Sequence, residues 1–251
     1  MDKAATDWYD DEAFWRDGFP FMFPERSFEE ARAQTEQIIE RSGVESGAVL
    51  DLCCGPGRFA IPLALKGFNV TGVDRTPFLL DHAREYADRE LAKVEWVESD
   101  MRSFSRPDSF DLAINMYTSF GYFDDPADNT LVLHNIYGGL KRGGVLVFEA
   151  GGKEILARVF EATGSTEIEG VGLSIQRRRA IDDWSRMENE WILIKDGMAK
   201  TFRLRHWIYS GHELRQMLES VGFGAVDIYG DLGGMPYGPS AKRLVAVAKK
   251  T

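Results

Sequence analysis

Apolar and polar positions change their spacing several times along the chain, and each change marks an element. Residues 1–28 set aromatics (Trp8, Tyr9, Phe14, Trp15, Phe19, Phe21, Phe23, Phe28) among acidic and polar residues. Gly18, Pro20 and Pro24 are expected to interrupt any long helix there. A segment this apolar should pack on something rather than float free. Ser27 with Glu30 three residues later reads as a capping box, opening a helix to about Arg41 that stops near Gly43. Val49–Leu52 is a short apolar run, hence a buried strand, followed by a glycine turn and a helix over residues 59–66. Asn69–Val73, Val94–Glu98, Phe110–Asn115 and Val145–Glu149 read as further strands. Helices from Thr76 or Pro77 to about Leu91, and over 129–140, separate them, the second ended by Lys141-Arg142-Gly143-Gly144. Strands alternating with helices at this spacing predict a mostly parallel sheet with helices on both faces.

After residue 150 the rhythm changes. Residues 166–208 alternate strand formers, with turns expected at Asp182-Asp183 and Lys195-Asp196-Gly197, so roughly three antiparallel strands are predicted. Ser210 caps a helix over 211–221, and strands over 225–229 and 243–248 flank a loop rich in glycine and proline. That closing pair would add an antiparallel edge. The predicted fold class is therefore α/β: a doubly wound, mostly parallel seven-stranded sheet with an antiparallel edge strand and a β-insert after strand five. Four regions follow: an aromatic N-terminal lid and helix (1–43), a ligand-binding core (44–150), an antiparallel insert capping the substrate (151–210) and the end of the core fold (211–251).

Charge narrows the partners. The formal net charge is −10 over 251 residues, which repels phosphate backbones, so nucleic acid is not expected. The densest basic run, Arg177-Arg178-Arg179, lies in a strand where Arg177 and Arg179 share one face, and reads as a solvated face. No stretch is apolar enough to span a bilayer, and the acidic start lacks the basic residues of a secretory signal, so a cytoplasmic protein is expected. The two cysteines, Cys53 and Cys54, are adjacent, which suits small residues in a tight turn rather than a disulfide framework or a metal site. No metal is expected. Self-association is left open.

The chemistry concentrates between Val49 and Ala60: V-L-D-L-C-C-G-P-G-R-F-A. Gly55 and Gly57 let the backbone turn sharply beside a ligand, at the positive end of the following helix. Asp74, closing the next strand, suits both hydroxyls of a ribose. The glycines alone fit a dinucleotide fingerprint, or a plain strand–helix turn, equally well. Asp51 distinguishes them: at the end of the first strand it would repel a pyrophosphate and attract an ammonium. S-adenosylmethionine has an amino-acid tail and a ribose but no phosphate, and matches Asp51 and Asp74 better than NAD does.

Five segments in order resemble the class I S-adenosylmethionine-dependent methyltransferases, bacterial small-molecule members above all, over most of the chain from about Val44. They are V-L-D-L-C-C-G-P-G-R-F, G-F-N-V-T-G-V-D, V-E-W-V-E-S-D-M, F-D-L-A-I-N-M-Y and L-K-R-G-G-V-L-V-F. The resemblance implies S-adenosylmethionine as cofactor and S-adenosylhomocysteine as product. It assigns Asp74 to the ribose, Asp100 to the adenine amino group and the Met101 backbone N–H to the ring. Cys53-Cys54 departs from the small or glycine residue usual there. Cys53 and Asn115 complete the cofactor set with Arg75, which lines the adenine side; Thr76 beside it is equally a helix cap.

Residues beyond the fourth strand should face the methyl group. Tyr117 there is a candidate catalytic residue, orienting a nucleophile or stabilising the sulfonium through its ring, or else a packing anchor. His206, where the insert ends, is the candidate general base, against an ordinary structural histidine. Tyr9, Trp15, Arg58, Tyr122 and Tyr237 are candidate substrate contacts; Arg58 is otherwise a solvated charge. The expected activity is methyl transfer (EC 2.1.1.-) to an N, O or C nucleophile of a small molecule. Its alternatives are a catalytically silent cofactor-binding module, an aminopropyl transferase of the polyamine-synthase type using a decarboxylated cofactor, and an NAD enzyme.

Overall fold

The structure is a computed structural model describing residues 8–251; residues 1–7, which belong to the expected N-terminal lid, lie outside the described residues. Its centre is a seven-stranded sheet formed by β1 (Ala48–Leu52), β2 (Asn69–Asp74), β3 (Val94–Glu98), β4 (Phe110–Asn115), β5 (Leu140–Ala150), β10 (Phe223–Tyr229) and β11 (Leu244–Lys250). The order across the sheet is β10-β11-β5-β4-β1-β2-β3. β1 to β5 are parallel, while β11 runs antiparallel to both β5 and the edge strand β10. The antiparallel edge predicted from the closing pair is present, with β11 one place inside it.

Both faces of this sheet are covered, which is why its strands read as nearly continuous apolar runs. Leu50, Leu52, Ala113, Leu146 and Phe148 face α5 (Pro126–Gly139) and α7 (Gly211–Ser220), where Val132, Leu133, Ile136, Leu214 and Leu218 meet them. Val49, Leu112, Ile114, Val145 and Val147 face the other way, onto Ala31 and Ile38 of α2 (Glu25–Ser42) and Ala60 and Leu63 of α3 (Ala60–Leu65). α4 (Pro77–Glu90) packs beside α3 over β2 and β3. Among the described residues no helix is long and apolar enough to cross a membrane.

Three local expectations change. α2 begins at Glu25, so Ser27 lies inside its first turn and donates its hydroxyl to the Pro24 carbonyl at 2.7 Å instead of capping. Pro24, extended at φ −63° and ψ 154°, already ends the preceding segment and starts this helix three residues early. Gly18 and Pro20 do not break α1 (Glu12–Met22), where Gly18 is buried. The insert opens with an unforeseen helix, α6 (Lys153–Val159), and has four antiparallel strands rather than three. They are β6 (Thr163–Ile168), β7 (Gly172–Ile181), β8 (Arg186–Lys195) and β9 (Met198–Trp207). On its outer face Arg177, Glu190 and Arg203 stand in register, as do Arg179, Glu188 and Arg205, forming two cross-strand ladders of exposed ion pairs.

α1 is fastened at both sides. Asp10, in the single 3-10 turn Trp8–Asp10 before it, pairs with Arg75 of the core, and Asp17 pairs with Lys200 of β9 at 2.6 Å. Phe14 lies edge-on to Phe202 and near Trp191 of the insert sheet. The N-terminal segment thus bridges core and insert over the carboxyl ends of β1, β2 and β4.

Candidate cofactor and acceptor site

A cavity of about 520 Å³ opens at those strand ends, within the range of roughly 300–1,000 Å³ usual for small-molecule sites. Its floor is the glycine turn after β1. Cys53 there adopts φ +62°, a left-handed conformation rare for a side chain with a Cβ, and the cysteine sulfur is small enough to fit. Gly55 (φ +55°) presents its Cα side to the cavity, where an added Cβ would meet nothing nearer than Phe23 at 3.8 Å. Gly57 (φ +82°) has another purpose: a Cβ would strike Trp96 at 2.8 Å, so it lets α3 close on the sheet and does not line the cavity.

Two carboxylates line this floor. Asp74 accepts from the Gly55 N–H and the Thr76 N–H, both at 2.9 Å, one at each oxygen. Burial raises its pKa, and those amides oppose the rise. Thr76 takes the helix-cap place of α4 without capping it, because its hydroxyl serves Asp74 instead. Asp51 is 2 % exposed and its Oδ2 has no hydrogen-bond partner. Burial pushes Asp51 up to about 7; the Ala60 amide opposes this, Asp74 adds to it and Arg58 lowers it again. A buried carboxylate oxygen lacking a partner is a defect unless a ligand supplies one. An ammonium there fits that need, and a ribose fits Asp74.

Asp100 and Met101, the residues expected at the adenine, line the cavity. Burial acts to raise Asp100, but Arg102, bonded through its Nε and Nη2 at 3.0 and 2.8 Å, outweighs it and holds the carboxyl low. Arg75 stands 3.2 Å from the same carboxylate, under the Tyr9 ring. Asn115 lies below the cavity, fully buried, and ties β4 to β1 by donating to the Leu52 carbonyl at 2.9 Å. It is absent from the lining because its side chain turns into the sheet.

Aromatic and apolar side chains, Trp8, Phe14, Trp15, Tyr122, Trp191 and Leu204, supply much of the remaining lining, together with the charged Arg26, Glu30 and Arg58. Tyr122 is pushed up to about 12 by burial. Tyr117 stands at the end of β4 with φ +57°. Its hydroxyl donates to Gln34 at 3.0 Å, and its ring lies between the guanidinium groups of Arg58 (4.0 Å) and Arg243 (5.0 Å). Arg243 in turn grips the buried Glu149 at 2.7 and 2.8 Å. Sequence reasoning missed Glu149, Arg243 and Gln34. Glu149 carried the same signal as Asp51 and Asp74, an acid closing an apolar strand.

Two further candidates, besides Gly57 and Asn115, fall outside the lining. His206 sits behind Tyr122, ring centroids 5.3 Å apart, its Nδ1 3.3 Å from the Asn189 amide; burial lowers it to about 4. Tyr237 packs on Gly211 and Gly152 and donates to Glu154 at 2.7 Å, because loop 230–240 folds toward α6 and α7. Among the described residues no group of His, Cys, Asp and Glu is arranged to hold a metal.

Comparison with known proteins agrees with this arrangement. A family model described as "Methyltransferase domain" matches residues 49–144. The chain is 26 % identical over 241 residues to the putative methyltransferase YqeM of Bacillus subtilis (strain 168), covering 93 % of this chain and 96 % of that protein. It is also 26 % identical to a glycine/sarcosine N-methyltransferase of Aphanothece halophytica, covering 100 % of this chain and 94 % of that one. Its fold matches an S-adenosylmethionine-dependent methyltransferase from Clostridium acetobutylicum ATCC 824 with a TM-score of 0.77 at 16 % identity, over 95 % of this chain and 98 % of that one. A methyltransferase-domain model thus matches the core from β1 to β5, the relatives over nearly the whole chain are methyltransferases, and the fold is the one S-adenosylmethionine-dependent methyltransferases share.

Proposed function

We propose that the chain methylates an N, O or C nucleophile of a small molecule with an apolar body, in the cytoplasm. One observation carries this reading: a single cavity joins the acid pair Asp51 and Asp74 to a cluster of aromatic side chains, Trp8, Phe14, Trp15, Tyr122 and Trp191. The glycine/sarcosine N-methyltransferase among its relatives also acts on small acceptors.

When bound, S-adenosylmethionine supplies a methyl group already activated on a sulfonium. What remains for the protein is alignment and the exclusion of water. Asp51 holds the ammonium, Asp74 the ribose hydroxyls, and Asp100 with the Met101 amide the adenine. Asp74 needs no reorganisation, since two backbone amides already fix both oxygens. The N-terminal segment and the insert act as the lid, with Trp8, Trp15 and Trp191 drying the acceptor chamber. Tyr122, protonated at neutral pH, is the group suited to orient an acceptor atom. His206 lies outside the cavity lining behind Tyr122, and burial lowers it to about 4, which makes it a weak base; its role is to position that ring. The acceptor atom must therefore react in its unprotonated form, as a neutral amine, an ionised oxygen or a carbanionic carbon.

Calorimetric titration of the full chain with S-adenosylmethionine, S-adenosylhomocysteine and NAD, beside Asp74→Ala, tests the cofactor half. Micromolar binding of the first two, lost in the variant, is expected; binding of NAD alone, or of nothing, overturns the reading. A screen of apolar amines and phenols with methyl-labelled cofactor tests the other half. Tight cofactor binding without transfer across the panel would leave a silent binding module instead.

A further inference from the structure

We propose that Arg58 is the anchor for the carboxylate of the cofactor's amino-acid tail, so that Asp51 and Arg58 together recognise an aminocarboxylate as a zwitterion. The two residues flank the glycine turn between β1 and α3, and both line the cavity. Each feels the other's charge through space, yet among the described residues Arg58 gains no hydrogen bond and Asp51 Oδ2 has no partner. No ion pair joins them among the described residues, so both charges remain open to a ligand in the cavity.

Stacking keeps them apart. The guanidinium carbon of Arg58 lies 4.0 Å from the Tyr117 ring centroid and 4.9 Å from that of Phe23. A guanidinium stacked by its faces keeps its in-plane N–H fork for a planar, two-oxygen partner. The stack is itself held, since Tyr117 is fixed by Gln34 on one side and by Arg243 with Glu149 on the other. Arg75, another arginine of the lining, already serves Asp10 and Asp100.

Charge decides which anion fits. A lone anion at Arg58 would also meet the fields of Asp51 and Glu149, both of which act on this guanidinium. A ligand that brings a cation with its carboxylate satisfies Asp51 and Arg58 together. The amino-acid tail of S-adenosylmethionine is such a ligand, and its decarboxylated form is not. Arg58 is then the residue that selects methyl transfer over aminopropyl transfer. This inference rests on S-adenosylmethionine being the cofactor.

The test is calorimetry on the full chain with three probes: S-adenosylhomocysteine, its decarboxylated analogue that keeps the amine, and 5′-methylthioadenosine, which lacks the tail. Wild type should prefer S-adenosylhomocysteine over the decarboxylated probe by roughly 10- to 100-fold, the worth of a charge-assisted pair. Arg58→Met keeps an apolar stem between the rings and should abolish that preference, leaving the affinities for the decarboxylated probe and for 5′-methylthioadenosine at wild-type values. Arg58→Lys should restore part of it. Equal weakening of all three probes by Arg58→Met, or no change in any, would overturn the inference. Failure of wild type to bind S-adenosylhomocysteine would overturn the cofactor assignment itself.

Discussion

At the scale of single residues, Asp51 is held where its charge is poorly compensated. Its carboxyl is raised from 3.8 to about 7, mainly by burial. An acid whose folded pKa exceeds its unfolded value destabilises the native state as pH rises from about 4 to 7, and the loss is complete above 7. Asp51→Asn should therefore stabilise the ligand-free protein at pH 8 by on the order of a few kcal/mol, seen as a higher melting temperature, and have little effect near pH 4. The same variant should weaken S-adenosylhomocysteine binding. In wild type that affinity should fall as pH drops below 7, and in the variant it should not, as titrations from pH 5.5 to 8.5 would reveal. The two glycines divide in the same way. Gly57→Ala places a Cβ against Trp96 with a left-handed backbone and should destabilise by roughly 2–3 kcal/mol. Gly55→Ala meets no close atom and should lose little beyond its backbone strain of about 1 kcal/mol, so ligand affinity falls more than stability in urea titrations. Asp51 and Asp74 were legible in the sequence because an acid that ends an apolar strand has few structural excuses. Gly57, Asn115 and Tyr237 were not, because their directions depend on Trp96, on β1 and on α6, which local pattern does not reveal.

Elements show how far local signals reach. Ser210 and Glu213 form a complete capping box on α7, each side chain bonded to the other's backbone N–H. Ser27 and Glu30 carry the same pattern, yet α2 is already under way when the chain reaches them. The pattern specifies a helix nearby, and the proline three residues earlier decides where it starts. Ser210→Ala should lower stability by about 1 kcal/mol, while Ser27→Ala should stay within roughly 0.5 kcal/mol, by urea denaturation of the two variants side by side. The strands of the core were readable for the same reason that they are stable, since both faces are apolar. The insert was harder. β6 has little apolar content. Lys141–Gly144 do end the helix as read, yet they fall within β5, where the register with β4 jumps from Leu140 opposite Phe110 to Val145 opposite Leu112.

For the whole molecule, the site belongs to three regions at once: strand ends of the core, α1 with its leading turn, and the inner face of the insert. A ligand that touches all three should stabilise them together. Saturation with S-adenosylhomocysteine at a hundredfold excess over its Kd adds about 2.7 kcal/mol, which should raise the melting temperature by roughly 5–10 °C, and Asp74→Ala should show no such rise. Sequence pattern sufficed for the layered α/β plan, since alternation of strand and helix allows few topologies. It said less about the aromatic part of the cavity, which exists only where Trp8 and Phe14 meet Trp191 from far along the chain. The place of β11 has a consequence for how the protein is made. Residues 244–250 fill an inner lane of the sheet, between β5 and β10, although ribosomes produce them after both neighbours. Until they emerge, β5 is a bare border and β10 has no partner. Arg243, adjoining that lane, arrives in the same moment to grip Glu149 beneath Tyr117. The nascent chain thus gains the last strand of its sheet and the final brace of its binding chamber together, and a chain released before residue 243 has neither.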